Sequence, residues 1–390
     1  MASGATPLPV SKTVLAWARM SAGLSLEQAE HKAGHSKEKI LAWENGDGVP
    51  SYPQLEDLAY KAYKRPIALF FLAEPPAEPS ITQDFRNLTN AEADHLGFQT
   101  RIALRKAKHV QGLMTELRPT GERARLLEFM VSATDDPVQA AARFRSFIGL
   151  TIEAQKQFRT GDNVSQFRPF VEALGVLVLK LDMPVEEARA FALSGDHPVV
   201  VLNAKDKENA QLFSLFHETC HVLFNTSGVF RDEDGYLRQE YRAVEDFCNL
   251  FAASFLVPRE ALQAELKKLT LTGTWTDAEL AKLAGIFKVS REVIFRQLIA
   301  MNMADANELW PRRRAWVAQA KATSKEKNEK LKDQEVRMPG WQRTRIEKGD
   351  LFVRSVYDAY AADRITLADV SQYLDVKVEQ VGRLVDEVYR

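Results

Sequence analysis

The run Phe213-Ser214-Leu215-Phe216-His217-Glu218-Thr219-Cys220-His221-Val222-Leu223-Phe224 places the pattern H-E-x-x-H inside an apolar stretch of helical character. Residues four apart share one face of a helix. His217 and His221 can therefore hold one metal ion from the same side. Zinc takes imidazole and carboxylate ligands, and in catalytic sites it keeps one position open. Glu218 sits about 100° round the helix from His217, within reach of a water at that open position. This order of residues suits water activation with proton transfer to a carboxylate, the chemistry of metal-assisted peptide hydrolysis. The bland alternative is a helix with two ordinary histidines and a salt-bridged glutamate. A third ligand in the next helical run argues against it.

That run is Glu240 to Pro258. Val244, Phe247, Leu250, Phe251 and Phe255 mark an apolar face at helical spacing, and Pro258 punctuates the end. Asn225-Thr226-Ser227-Gly228 and Asp232-Glu233-Asp234-Gly235 read as loop between the two helices. A helix–loop–helix can fold back and set Glu245 opposite the histidines. Glu240 and Asp246 are competitors. Asp246 lies about 100° off the face of Glu245, and Glu240 is more than a turn earlier.

The strand-like run Pro198-Val199-Val200-Val201-Leu202-Asn203, the Phe-x-x-x-His-Glu-x-x-His-Val-Leu-Phe helix and Glu245-x-x-Cys248-Asn249-x-Phe251-Ala252-Ala253-x-Phe255-Leu256-Val257-Pro258 together resemble the ImmA/IrrE family of zinc metallopeptidases. The family's usual form of the last segment is E-x-x-A-N-x-F-A-A-x-L-L-M-P. The resemblance covers roughly residues 150–300. It implies a zincin-like peptidase domain with Zn2+ as cofactor, His217, His221 and Glu245 as ligands, and Glu218 as general base. Two departures stand out: Cys220 in the fourth position of H-E-x-x-H, and Cys248 where the family has alanine. If the two helices pack as the ligand set requires, these cysteines face each other. They are then either two small residues that let the helices approach closely or a redox-sensitive pair.

A chain of 390 residues suggests two or three domains. A net charge of −1 gives no global nucleic-acid signature. The first residues lack the pattern of a secretory signal, and no apolar run is long enough to span a membrane. Two cysteines inside predicted helices make no disulfide framework. A cytoplasmic protein is expected.

Residues 11–24, Leu26–Ala33 and Lys37–Glu44 read as three short helices separated by Gly23, Gly34 and Asn45-Gly46, with Ser25 and Ser36 as caps. Leu55, Leu58, Ala59 and Ala62 mark a fourth helix. Two short helices joined by a tight glycine turn suggest a helix-turn-helix. Ala22-Gly23-Leu24-Ser25, Gly34, Ile40-x-x-Trp43-Glu44-x-Gly46, Pro50-Ser51 and Leu55-x-x-Leu58-Ala59 resemble the Xre/phage-repressor-like family over residues 12–65. In such modules the third helix enters the major groove. That points to Ser36, Lys37, Glu38 and Lys39 as DNA contacts, with Arg19, Lys12 and Lys61 for phosphates. Glu38 and Glu44 make this face less basic than a strong DNA binder needs. A unit turned to dimerisation or protein recognition is the competing reading.

The expected fold is mainly α with a small β-sheet (α+β). It comprises an all-α helix-turn-helix domain (1–72), a proline-rich boundary and helical linker (73–150), the peptidase domain (151–305), a charged linker (306–335) and a small helical C-terminal domain (336–390). Arg101, Arg105, Lys106 and Lys108 lie along one helical stretch of the linker and read as a solvated face. Residues 175–181 and 197–203 read as strands, and the edge of the second could pair with an extended substrate peptide. His197, Tyr236 and Tyr241 are candidates for stabilising charge on a substrate oxygen. The helix-turn-helix-like spacing over 280–298 is read as part of the peptidase domain, because family members carry a similar segment.

Two functions follow. One is a zinc endopeptidase fused to a DNA-binding unit, cleaving a repressor or other regulatory protein in a stress or mobile-element response, with operator DNA and a homodimer as expected partners. The other is a DNA-binding regulator whose peptidase-like domain senses a metal, redox state or ligand without proteolysis.

Overall fold

The computed structural model describes residues 9–78, 96–118, 121–132, 134–159, 161, 163–224, 228–230, 239–268, 275–319 and 338–390. The fold is α+β, mainly helical with one small sheet. The chain divides into two compact units, Met1–Lys106 with Asp182–Glu187, and Ala107–Leu181 with Ala188–Arg390.

The first unit opens with α1 (Lys12–Ser21), α2 (Leu26–Ala33), α3 (Lys37–Asn45) and α4 (Tyr52–Glu56), which runs on as a wider helical coil over Asp57–Tyr63. Ser25 caps α2 through a capping box with Gln28, satisfying donors that a helix start leaves open. Gly34 (φ 75°) and Gly46 (φ 89°) close α2 and α3 in the left-handed region, where a Cβ would be strained. Val14, Leu15, Ala18, Ala29, Ile40, Trp43, Leu55, Leu58, Tyr63 and Phe70 form its core. The start of α5 (Phe98–Leu117) also belongs here, with Glu187 accepting from the Gly97 N–H at 2.9 Å and from the Thr100 hydroxyl.

The second unit is built on a four-stranded sheet of β1 (Leu177–Leu181), β2 (Ala190–Leu193), β3 (Val199–Asn203) and β4 (Gly228–Phe230), in the order β1-β3-β2-β4. β1 and β3 are parallel, with Leu177 opposite Val199; β2 runs antiparallel to both β3 and β4. β3 is therefore interior, and both of its edges are taken by neighbouring strands. This overturns the expectation that its edge receives a substrate peptide. Its unbroken apolar run fits a strand covered on both faces, and every residue of it is buried.

Helices α6 (Pro137–Phe147), α7 (Ile152–Lys156) and α8 (Asn163–Glu172) precede the sheet. After β3 come α9 (Glu208–Leu223), α10 (Gln239–Leu256), α11 (Arg259–Leu266), α12 (Asp277–Phe287) and α13 (Arg291–Ala300). A helix over 309–319, α14, follows. One core joins these helices to the sheet. At its centre Phe216 of α9 stacks on Phe255 of α10 at 3.9 Å between ring centroids, with Phe144, Phe167 and Phe251 around them. Leu280, Phe287, Ile294 and Leu298 lie in the same core, so the 280–298 segment packs with α9 and α10.

The chain ends in α15 (Gly340–Ala361), α16 (Leu367–Leu374) and α17 (Val378–Tyr389), within the same unit as the sheet. α15 breaks at Gly349 (φ 82°). There the buried Glu172 carboxylate accepts from the N–H groups of Asp350 and Leu351 at 3.2 and 3.3 Å, and Arg168 donates to the Ile346 carbonyl at 2.8 Å. Arg168 also bonds Glu172 at 2.7 Å and the carbonyl of Val178 in β1. Among the described residues no helix is long and apolar enough to cross a membrane.

Candidate metal centre

α9 lies against the sheet and α10 lies against α9, so residues on their facing sides meet in the core. His217 and His221, one turn apart on α9, turn their rings toward Glu245 of α10. Their Nε2 atoms are 3.1 Å apart, and Glu245 reaches both at 3.2 Å, one carboxylate oxygen to each. The three ligand atoms lie within 4.8 Å of one another, and all three residues are buried. Tetrahedral zinc with bonds of ~2.0–2.1 Å sets neighbouring ligand atoms about 3.3 Å apart. The donor set and its spacing therefore fit that ion. Asp246 is exposed and turned away from the cluster, while the side chain of Glu240 lies outside the described residues.

Glu218 is fully buried, and neither of its carboxylate oxygens has a hydrogen-bond partner among the described residues. Burial pushes its pKa up to about 8, with His221 opposing. A partnerless buried carboxylate is costly and calls for a functional explanation. Burial also holds His217 below the usual histidine range, which keeps its nitrogen available to a metal. Glu245 stays well below the usual carboxylate range despite its burial, because the two imidazoles favour its charge.

Cys248 lies against both Cys220 and the His221 ring. The two cysteines thus do face each other, and both are buried free thiols. His197 is buried near Arg118, Glu122 and Asp196, and its carbonyl accepts from Gln111 at 2.9 Å. It is not one of the residues gathered at the cluster. Tyr236 and the side chain of Tyr241 lie outside the described residues.

Residues 171–298 match the family model of the M78 peptidases, the IrrE N-terminal-like domain. The match runs from the end of α8 to α13 and contains the three residues of the cluster and Glu218. The chain is 31% identical over 116 residues to the radiation response metalloprotease IrrE of Deinococcus deserti, covering 28% of this chain and 39% of that protein. It is 28% identical over 120 residues to the phage-like element PBSX protein XkdA of Bacillus subtilis, covering 30% of this chain and 55% of that protein. The chain thus spans less than two thirds of either relative. These similarities support the ImmA/IrrE resemblance for the metallopeptidase-like part.

In the N-terminal unit, Ser36 stands at the cap of α3, while Lys37, Glu38 and Lys39 are exposed in its first turn. Lys37 pairs with Glu27 at 3.3 Å. Arg19, expected at phosphates, instead donates to both oxygens of Glu44 at 2.8 Å and to the Leu24 carbonyl at 3.0 Å. It ties α1 to α3 while staying only part-buried. Lys12 caps the Asn45 carbonyl at 3.3 Å, and Lys61 pairs with Asp57 at 2.7 Å.

The sequence did not point to the polar network that fixes α10. Arg145 donates to the Phe255 carbonyl and to Gln155, at 2.7 Å each. Gln155 donates to the Leu256 and Phe287 carbonyls at 2.8 Å, and Gln297 to the Val257 carbonyl at 2.7 Å. A helix leaves its last carbonyls open, and here buried side chains supply the donors.

Proposed function

We propose that this chain is a zinc-dependent endopeptidase acting on a regulatory protein. The observation that carries the reading is the convergence of His217, His221 and Glu245 beside a buried Glu218 carboxylate without a hydrogen-bond partner. His217, His221 and Glu245 would hold the metal. Bound there, zinc supplies Lewis acidity that polarises a carbonyl and lowers the pKa of water. Glu218 takes the proton from the attacking water and returns it to the leaving amine, acting as base and then acid. The apolar walls around it exclude bulk water and strengthen each electrostatic contact.

The relatives' names, a radiation response metalloprotease and a phage-like element protein, support a role in a stress or mobile-element response with a repressor-like substrate. The helix-turn-helix unit, with Ser36, Lys37, Glu38 and Lys39 at one helix start, is proposed to bring the peptidase to operator DNA.

The test is a trapping experiment in the source cell. Zinc-loaded Glu218→Gln is expected to retain a protein that the wild type cleaves. A wild type that holds zinc yet cleaves nothing retained by the variant contradicts the peptidase reading and favours a metal-sensing regulator.

A further inference from the structure

Helix α9 is buried from Ser214 to Val222, but Phe213 is half-buried. Phe213 precedes His217 by four residues and so lies on the same face, one turn nearer the helix start. Its ring is 6.2 Å from the His217 ring, tilted by 32°. Leu223 and Phe224 are half-buried at the other end of that stretch, and Phe213 is the half-buried residue whose ring lies against His217. Arg296 of α13 stands above that ring, its Cζ 5.9 Å from the centroid. A guanidinium over an aromatic face is held by charge–quadrupole attraction and packing.

Arg296 is a quarter exposed. Its Nε and Nη2 both face one oxygen of Glu292, at 3.0 and 2.8 Å. The other oxygen of Glu292 accepts from Arg313 at 3.2 Å. One carboxylate is thus shared between two guanidiniums, so the charge of Arg296 is only partly matched by Glu292. The Nη1 edge takes no hydrogen-bond partner among the described residues.

The geometry points to Arg296 as a specificity-determining residue that receives the side-chain carboxylate of an acidic residue beside the scissile peptide bond. The inference rests on the zinc peptidase reading and names the substrate class, an acidic peptide segment. A planar guanidinium with an open edge suits a carboxylate. Adjacent substrate residues advance by ~3.3–3.6 Å each, so a residue next to the scissile bond falls within the span set by Phe213. Phe213 would form the apolar floor under the substrate, and Glu292 would hold the guanidinium in place.

The test uses the full chain loaded with cobalt(II), whose visible spectrum reports ligands at the metal. Three small hydroxamates of matched length serve as probes: succinic acid monohydroxamate (anionic tail), butyrohydroxamate (neutral tail) and β-alanine hydroxamate (cationic tail). The wild type is expected to bind the anionic probe roughly tenfold more tightly than the neutral one. Arg296→Gln should lose that preference, so that the anionic and neutral probes bind about equally, and Arg296→Lys should keep part of it. Arg296→Glu should invert the order in favour of the cationic probe. Glu292→Gln keeps an amide oxygen that can accept from Arg296 but removes the competing negative charge, and should strengthen the anionic preference. Equal affinities in the cobalt-loaded wild type, or a preference unchanged in Arg296→Gln, overturn this inference and leave the metal site standing. A wild type that takes up no cobalt overturns the metal reading, and this inference with it.

Discussion

Glu218 destabilises the metal-free protein, and the size of that effect depends on pH. Its side chain is fully buried without a hydrogen-bond partner among the described residues, and its pKa is pushed up to about 8. The unfolded chain releases the proton as pH rises past the ordinary value of 4.5, while the folded chain keeps it until about 8. Folding stability is therefore lost across that window and stays lower above it. Metal-free Glu218→Gln should melt at a higher temperature than metal-free wild type at pH 8, with an unfolding free energy larger by on the order of a few kcal/mol. The gap should close as the pH falls toward 4.5. A variant that melts lower at pH 8 contradicts the assignment of that carboxylate as unpaired. The histidine pair and Glu218 were legible because a local spacing of four residues needs only a helix. Glu245 was legible as one of three acids, and burial separates it from the exposed Asp246. Arg296 was not legible, because nothing local ties α13 to Phe213.

At the scale of elements, α10 matters most, since it delivers Glu245 to the histidines. Its last turn is held by Arg145, Gln155 and Gln297, which lie far from it in sequence. Gln155→Leu would strand two carbonyls and one donor of Arg145 in the core. Each buried group left without a partner costs about 1–3 kcal/mol. The variant should lose at least about 3 kcal/mol in denaturant unfolding, and its metal affinity should fall as Glu245 loosens. Wild-type stability in Gln155→Leu contradicts the role given to this network. The role of Gln155 was not legible, because the partners that bury it lie about a hundred positions away. β1 and β3 were legible from their apolar runs, β2 and β4 were not, and the place of β3 was misjudged. Its continuous apolar run was the signal of an interior strand. Arg19 was likewise assigned to phosphates from its charge, when its partner Glu44 was already inside the same helical motif.

For the whole molecule, the structure groups the C-terminal helices with the sheet and the metal cluster. Gly349 makes that contact. Its positive φ suits glycine, and a Cβ there would collide with Glu172 and Arg168. Gly349→Ala should therefore lower the unfolding free energy by about 2–4 kcal/mol and expose α15–α17 to limited proteolysis. An intact C-terminal segment of wild-type stability contradicts that account. The most direct test of the central claim is the metal content of the purified protein after zinc is supplied and excess removed. Wild type and Glu218→Gln should each hold about one zinc per chain, whereas His217→Ala and Glu245→Ala should hold none. A wild type without metal, or a Glu245→Ala variant that keeps its full content, would contradict the site.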